Sequence, residues 1–398
     1  MKSGLTSFLA LNRNIVLLLC AIVLIGSGEE MWMRFLPKYL EGLGASVFLI
    51  GSFDAIKTLL GALYAFPGGV LVDRWGHRRA FVVFCLLSIL GYAVVFITQS
   101  RSGVIFGMFL FLAWSNLSLP AAFSLVGSSL PASKHAMGIG IQSLVRRLPA
   151  LIGPIAGGLL MDRMGLIPGV HAGVLVSIIL AGCALPLQGS MRVAKTESAK
   201  FHWNLARHVR DFDPNLRSLL ASDILIRFCE RIPFAWVVIY AMDNGHASAG
   251  QAGILIAVEM IAASVCYVPA SYLADRFGKV PFVVATFIFF TLFPLSLMIA
   301  HSFPWLIVAF AIKGLKEFGE PARKSLIISY APADARGQTI GAYYLVRDTV
   351  VTFGSFLGAA LWKLGPNVNF ASAAALGAAG TVFYLATRPS RSSSPPLG

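Results

Sequence analysis

The residues of this chain that could do chemistry are ionisable side chains set inside long apolar runs. The first such run carries Glu29, Glu30, Arg34 and Lys38, the second Asp54 and Lys57, and the fifth Arg146 and Arg147. Later runs carry Asp223, Arg227, Glu230 and Arg231, then Glu259, then Lys313, Lys316, Glu317, Glu320, Arg323 and Lys324, then Arg347 and Asp348. A charge near the middle of a bilayer costs about 2.5–3.5 kcal/mol on insertion scales, so each is expected to face a cavity or a partner. Glu30 and Arg34 share a helix face at i, i+4, as do Asp223 and Arg227, and Lys313, Glu317, Glu320 and Lys324 run down one stripe. Twelve bases stand against nine acids in this set. The surplus favours an anionic or zwitterionic solute held by arginine, a bidentate donor. Arg34, Arg146, Arg227, Arg231, Lys313 and Arg347, with Trp114, are the candidate solute contacts. Glu30, Glu317, Glu320 and Asp348 are the candidate proton carriers, because a buried carboxylate beside a basic partner can take up and release a proton. The competing expectation is that many of these charges are mutually neutralised pairs of the scaffold.

The elements that must position them follow from composition. Hydrophobic residues make up 57% of the 398 and charged residues 13%, about half the charged share of a soluble domain. Apolar runs of about 20 residues predict helices that span a membrane rather than alternating barrel strands. Spans are expected near 14–40, 47–72, 80–99, 103–130, 137–162 and 168–189, then 217–242, 249–273, 280–300, 304–330, 338–362 and 369–387. The start, with its apolar core from Ile15 to Ile25, reads as an uncleaved first span. Lysine and arginine gather on one side of this topology, which places both termini in the cytoplasm. Residues 190–216 form a cytoplasmic linker in which Phe201, Leu205 and Val209 make an apolar stripe, predicting an amphipathic helix. The tail from 388 to 398 is low in complexity and expected to be disordered.

The formal charge of +14 is scattered between apolar runs, which argues for anionic lipid rather than nucleic acid. Five cysteines lie inside apolar runs without a Cys-x-x-Cys, so neither disulfides nor a metal site is expected. No phosphate-binding Gly-x-x-x-x-Gly-Lys-Ser/Thr, His-Glu-x-x-His or Gly-x-Ser-x-Gly is present, which leaves ATP hydrolysis and the familiar hydrolases without their machinery, and no cofactor is called for.

The chain repeats itself. Pro67 and Pro269, and Asp73 and Asp275, are 202 apart, while Leu144-Val145-Arg146 and Leu345-Val346-Arg347 are 201 apart. Two related six-helix halves, 1–189 and 217–387, are therefore expected, in an all-α membrane protein of about twelve transmembrane helices.

These features resemble the major facilitator superfamily of transporters over nearly the whole chain. Gly69, Leu71, Asp73, Arg74, Gly76, Arg78 and Arg79 fill that family's motif A, and Leu273, Asp275, Arg276, Gly278 and Lys279 echo it with Ser271 in place of the first glycine. Gly153-Pro154-Ile155-Ala156-Gly157-Gly158 is similar to the end of motif C, associated with antiporters and drug exporters, although Pro149 replaces its upstream glycine. The arginine of motif B is absent: the fourth span reads Phe111-Leu112-Ala113-Trp114-Ser115-Asn116. The resemblance implies alternating access, a central cleft lined by the first, fourth, seventh and tenth helices, and a cytoplasmic latch at motif A. It also implies packing of the fifth helix on the eighth and the second on the eleventh, so that Arg146 or Arg147 could meet Glu259. The expected function is proton-coupled export of a small anionic or zwitterionic organic solute or drug by a monomer, with uptake symport and a non-transporting membrane receptor as alternatives. Expected partners are the solute, protons or another ion, and the bilayer of a bacterial inner membrane.

Overall fold

The computed structural model describes residues 12–129, 135–191, 210, 212–331 and 336–387; the side chains of some helical residues within these ranges, Gly69, Asp73 and Asp275 among them, also lie outside the description. The predicted amphipathic helix of the linker and the tail from 388 fall outside it. Among the described residues all regular structure is helical: α1 Arg13–Met33, α2 Leu36–Gly42, α3 Val47–Trp75, α4 His77–Thr98, α5 Arg101–Ser129, α6 His135–Met164 and α7 Leu166–Gly189, then α8 Pro214–Phe234, α9 Val237–Asp243, α10 Ala249–Phe277, α11 Lys279–Ile299, α12 Phe303–Leu315, α13 Glu320–Tyr330, α14 Arg336–Leu364 and α15 Pro366–Thr387. Seven of these (α1, α3, α4, α7, α10, α11 and α15) contain a stretch long and apolar enough to cross a membrane. Taking α1 with α2, α8 with α9, and α12 with α13 gives twelve spans whose ends fall within four residues of those read from the sequence.

The starts are locally encoded. Asn12 accepts from the Ile15 amide and Ser46 from the Leu49 amide, and Asp213 caps α8 just ahead of Pro214. Single-residue turns join α3 to α4 and α10 to α11 through Gly76 and Gly278, at φ 77° and 92°, a backbone only glycine adopts freely.

Three spans are broken where the sequence suggested continuous helix. The ladder drops to i→i−3 bonds at Phe35 to Trp32 and at Trp236 to Pro233, and again at Glu317 to Gly314 and Glu320 to Glu317. Pro37 and Pro321 stand in the first turn of α2 and α13, and Pro233 in the last turn of α8; none can donate to the ladder. The first two breaks lie 201 positions apart, in the repeat register.

The chain forms two compact units, Met1–Phe201 with Ala247–Ala257, and His202–His246 with Val258–Gly398. In the first, α1 packs on α6 and α7, and α4 on α5 and α7; in the second the register equivalents do the same, α8 on α14 and α15, and α11 on α12 and α15.

Candidate functional site

In the first unit the charged stretch of α1 divides its two glutamates. Glu30 turns to Arg34, with Oε2 2.9 Å from Nε, and both side chains are about a quarter exposed, at 26% and 28%. Glu29, one position earlier, is buried against α4 and α5. The Tyr92 hydroxyl donates to its Oε1 and the Ser115 hydroxyl to its Oε2, each at 2.5 Å. Trp32 meets Tyr92 and Phe111 edge-on, with centroids 6.2 and 5.2 Å apart, and its Nε1 donates to Ser177 Oγ at 2.9 Å. Among the described residues no cation lies within salt-bridge distance of Glu29; Lys57 and Arg146 act on it from farther off. Arg146 is half-buried, and its Nε has no hydrogen-bond acceptor among the described residues. Trp114 is buried and packs on Phe81 at 5.5 Å.

The motif C-like residues are a packing seam. A Cβ on Gly157 would stand 1.8 Å from the Met31 carbonyl oxygen, and one on Gly153 2.7 Å from Glu30 Cβ, so these two seat α6 on the charged end of α1. On the other side a Cβ on Gly158 would meet the Ala249 carbonyl oxygen at 2.3 Å, and one on Gly253 the Pro154 carbonyl oxygen at 2.2 Å. Asp162, at the end of α6, then accepts from Ser248 Oγ at 2.8 Å and from Gly250 N at 2.9 Å, capping the start of α10.

The second unit holds one connected ion network. Arg323 is nearly fully buried; it grips both oxygens of Glu320 at 2.9 and 2.6 Å and reaches Asp223 Oδ2 at 2.5 Å. Asp223 also accepts from Tyr343 at 3.0 Å and Arg347 at 3.4 Å, and Arg347 continues to Asp348 at 2.7 Å. Arg227 joins Glu320 at 3.4 Å to Glu230 at 2.8 Å, and Lys316 joins Glu230 at 2.6 Å to Glu259 at 3.8 Å. Lys313 also reaches Glu259, at 2.9 Å, so two lysines of the same unit lie on this acid. The break between α12 and α13 suits this arrangement: Lys313 lies in the last turn of α12, where carbonyls point out, and Glu320 in the first turn of α13, where amides do. Glu317 lies within the break, its charge acting on Lys316, and the Arg231 guanidinium lies 4.7 Å from the Phe234 ring centroid.

At motif A, Gly69 and Asp73 lie in α3 and Asp275 in α10, with Arg74, Arg78 and Arg276 exposed around the glycine turns. In the sequence Glu29 stands out only as one more charge at membrane depth, and its partners Tyr92 and Ser115 carry no signal there. The available signal is the register: Glu29 and Glu230 are 201 apart, a position acidic in both halves.

The family description Major Facilitator Superfamily matches residues 18–243 and 219–398. The Multidrug resistance protein MdtG of Citrobacter koseri is 25% identical over 371 residues, covering 88% of each chain, and that of Escherichia fergusonii is 25% identical over the same length. Crystal structures share the fold: a mutant of the nucleoside transporter NupG superposes with a TM-score of 0.80 at 9% identity over 94% of this chain and 100% of that one. A POT family transporter in complex with 5-aminolevulinic acid gives 0.77 at 17% identity over 94% and 95%. On the family match across both halves, this multi-pass membrane protein belongs to the major facilitator superfamily and is a secondary transporter, not an enzyme.

Proposed function

We propose that the chain exports a small anionic or zwitterionic organic solute or drug in exchange for protons, by alternating access in a bacterial inner membrane with both termini cytoplasmic. The observation that carries proton coupling is Glu29: a buried carboxylate held by two hydroxyls can gain a proton without breaking an ion pair. Glu320 cannot, because both of its oxygens are gripped by Arg323. Glu30, Glu317 and Asp348 remain secondary candidates. Export is favoured over uptake by the multidrug resistance relatives and by the glycine-proline seam of α6.

The solute's negative charge has two candidate docking groups. At membrane depth in the second unit Arg227, Lys313, Lys316, Arg323, Lys324 and Arg347 are each paired with an acid, which weakens the surplus argument for Arg227 and Lys313. Arg34 and Arg347 are different, because their partner acids Glu30 and Asp348 are 26% and 32% exposed and can be replaced by a solute anion. Solutes are found by a thermal-shift screen of organic acids, phosphonates, zwitterions and drugs on the purified chain. Everted membrane vesicles then test coupling: an acidified interior should drive accumulation of the hit, and Glu29→Gln should abolish the dependence on the pH gradient. Accumulation by Glu29→Gln with an unchanged pH profile overturns the reading.

A further inference from the structure

A serine within a helix ordinarily turns its hydroxyl back to the carbonyl four residues earlier. Ser52, Thr58 and Ser177 do so here, donating to the carbonyls of Phe48, Asp54 and Gly173. The equivalent acceptor for Ser115 is the carbonyl of Phe111, and it is occupied from a neighbouring helix. Ser88 of α4, fully buried, donates to Phe111 O at 2.9 Å and accepts from the Trp114 amide at 2.9 Å. The helix ladder of α5 uses one lone pair of that carbonyl and Ser88 the other, so both are filled. The Ser115 hydroxyl is left to the Glu29 carboxylate. The close approach depends on Gly91, where a Cβ would stand 2.3 Å from Phe111 N.

We infer that Ser88 is a positioning residue for the Glu29 proton site: by holding the Phe111 carbonyl it keeps the Ser115 hydroxyl on the ionised carboxylate. The inference rests on the reading of Glu29 as the coupling carboxylate. When Glu29 gains a proton, one of its oxygens becomes a donor and the Ser115 oxygen, with two lone pairs, becomes its acceptor. Proton uptake therefore reverses a hydrogen bond between α1 and α5 inside the first unit. The charged and titratable groups facing Glu29 are Glu30 of α1, Lys57 of α3, Tyr92 and Cys85 of α4, and Arg146 of α6. None of them competes for the Phe111 carbonyl among the described hydrogen bonds.

The test needs no solute. The full chain in lipid nanodiscs is titrated by infrared difference spectroscopy, and the carbonyl band of protonated Glu29 is assigned by its loss in Glu29→Gln. In Ser88→Ala the vacated Phe111 carbonyl draws Ser115 away, and the protonated band should persist about one pH unit higher, the worth of one hydrogen bond to a charged group. Ser115→Ala should give the same shift, and the double variant no more than either, because both remove one interaction. Ser88→Thr, which keeps the hydroxyl, should titrate as the natural protein; near-isosteric Ser88→Cys, with a weaker donor, should shift in the same direction by less. Wild-type titration of Ser88→Ala or Ser88→Cys, or additive shifts in the double variant, overturns the role of Ser88 while leaving Glu29 as a proton site. If Glu29→Gln removes no titrating band, the coupling reading fails and this inference with it.

Discussion

Glu29 and Glu230 occupy equivalent positions 201 residues apart in α1 and α8, and their carboxylates are held by opposite chemistry. Glu29 accepts from the hydroxyls of Tyr92 and Ser115, whereas Glu230 is clamped by Lys316 at 2.6 Å and Arg227 at 2.8 Å. One repeat holds its carboxylate by neutral hydroxyls; the other holds the equivalent carboxylate by two cations. Ser88 of the first unit corresponds in the 202 register to Phe290, whose ring lies 5.2 Å from the Arg227 guanidinium and 5.7 Å from Lys316 Nζ. The cations that neutralise Glu230 thus rest on an aromatic face where the first unit has a hydroxyl.

Stability should report this asymmetry directly. Glu230→Gln takes the nearest acid from Lys316 and Arg227, leaving them only Glu259 at 3.8 Å and Glu320 at 3.4 Å, and is expected to cost about 3 kcal/mol, the lower end for breaking a buried pair. Glu29→Gln keeps an acceptor for Tyr92 and offers Ser115 a donor, so it should change stability by no more than about 1 kcal/mol. Thermal unfolding of both variants in the same detergent checks the pair. Equal losses would contradict the contrast between the two glutamates.

A second expectation concerns the knot at Asp223, where one carboxylate serves Arg323, Arg347 and Tyr343. Asp223→Leu alone leaves the buried Arg323 and the half-buried Arg347 short of charge and should destabilise by about 3–5 kcal/mol. Adding Arg323→Leu should recover part of that loss, because the double variant removes the stranded cation as well; the coupling is read from a double-mutant cycle of unfolding free energies. A double variant no more stable than Asp223→Leu would show that the network is not held by this pair.

Much of the fold is legible in the sequence because membrane helices announce themselves by length and apolarity. The register from Pro67 to Arg347 carries over into helix boundaries, so that α1 and α8 start 201 apart and α3 and α10 start 202 apart. The breaks at Arg34, Ala235 and Lys316 are not evident there, although Pro37, Pro233 and Pro321 stand beside them; proline in a membrane span is too common to mark a break by itself. The charges of the second unit are legible as a set, since Asp223 and Arg227, or Glu320 and Lys324, fall on one face. The pairing of Arg323 with Asp223 is not, being a contact across 100 residues. Ser88, Tyr92 and Ser115 are ordinary polar residues in their own helices and gain meaning only when α1, α4 and α5 are brought together.

The seam of α6 predicts a graded response to single methyl groups. Gly157→Ala forces a Cβ to within 1.8 Å of the Met31 carbonyl oxygen and Gly158→Ala to within 2.3 Å of that of Ala249. Each should destabilise by about 1–3 kcal/mol through overpacking and lower transport. Gly182→Ala in α7 is the control, since nothing lies within 4 Å of its Cβ; it should be neutral or stabilise by up to about 1 kcal/mol from helix propensity. Unfolding midpoints and solute accumulation in vesicles measure both effects, and a silent Gly157→Ala would mean that α1 and α6 are not held this closely.

Motif A offers a separation of fold from function. At Gly76 no atom stands within 4 Å of where a Cβ would lie, but φ 77° with ψ 156° is a region essentially confined to glycine, so Gly76→Ala should cost about 1–3 kcal/mol of backbone strain. Asp73→Asn, three residues earlier in α3, changes neither backbone nor volume. If this loop is the latch implied by the motif, Asp73→Asn should bind solute as the natural protein does, by thermal shift, while its rate of accumulation in vesicles falls several-fold. Gly76→Ala should instead lower the unfolding midpoint first, with transport following the folded fraction. Loss of solute binding in a folded Asp73→Asn protein would place the loop in the binding machinery and end the latch reading.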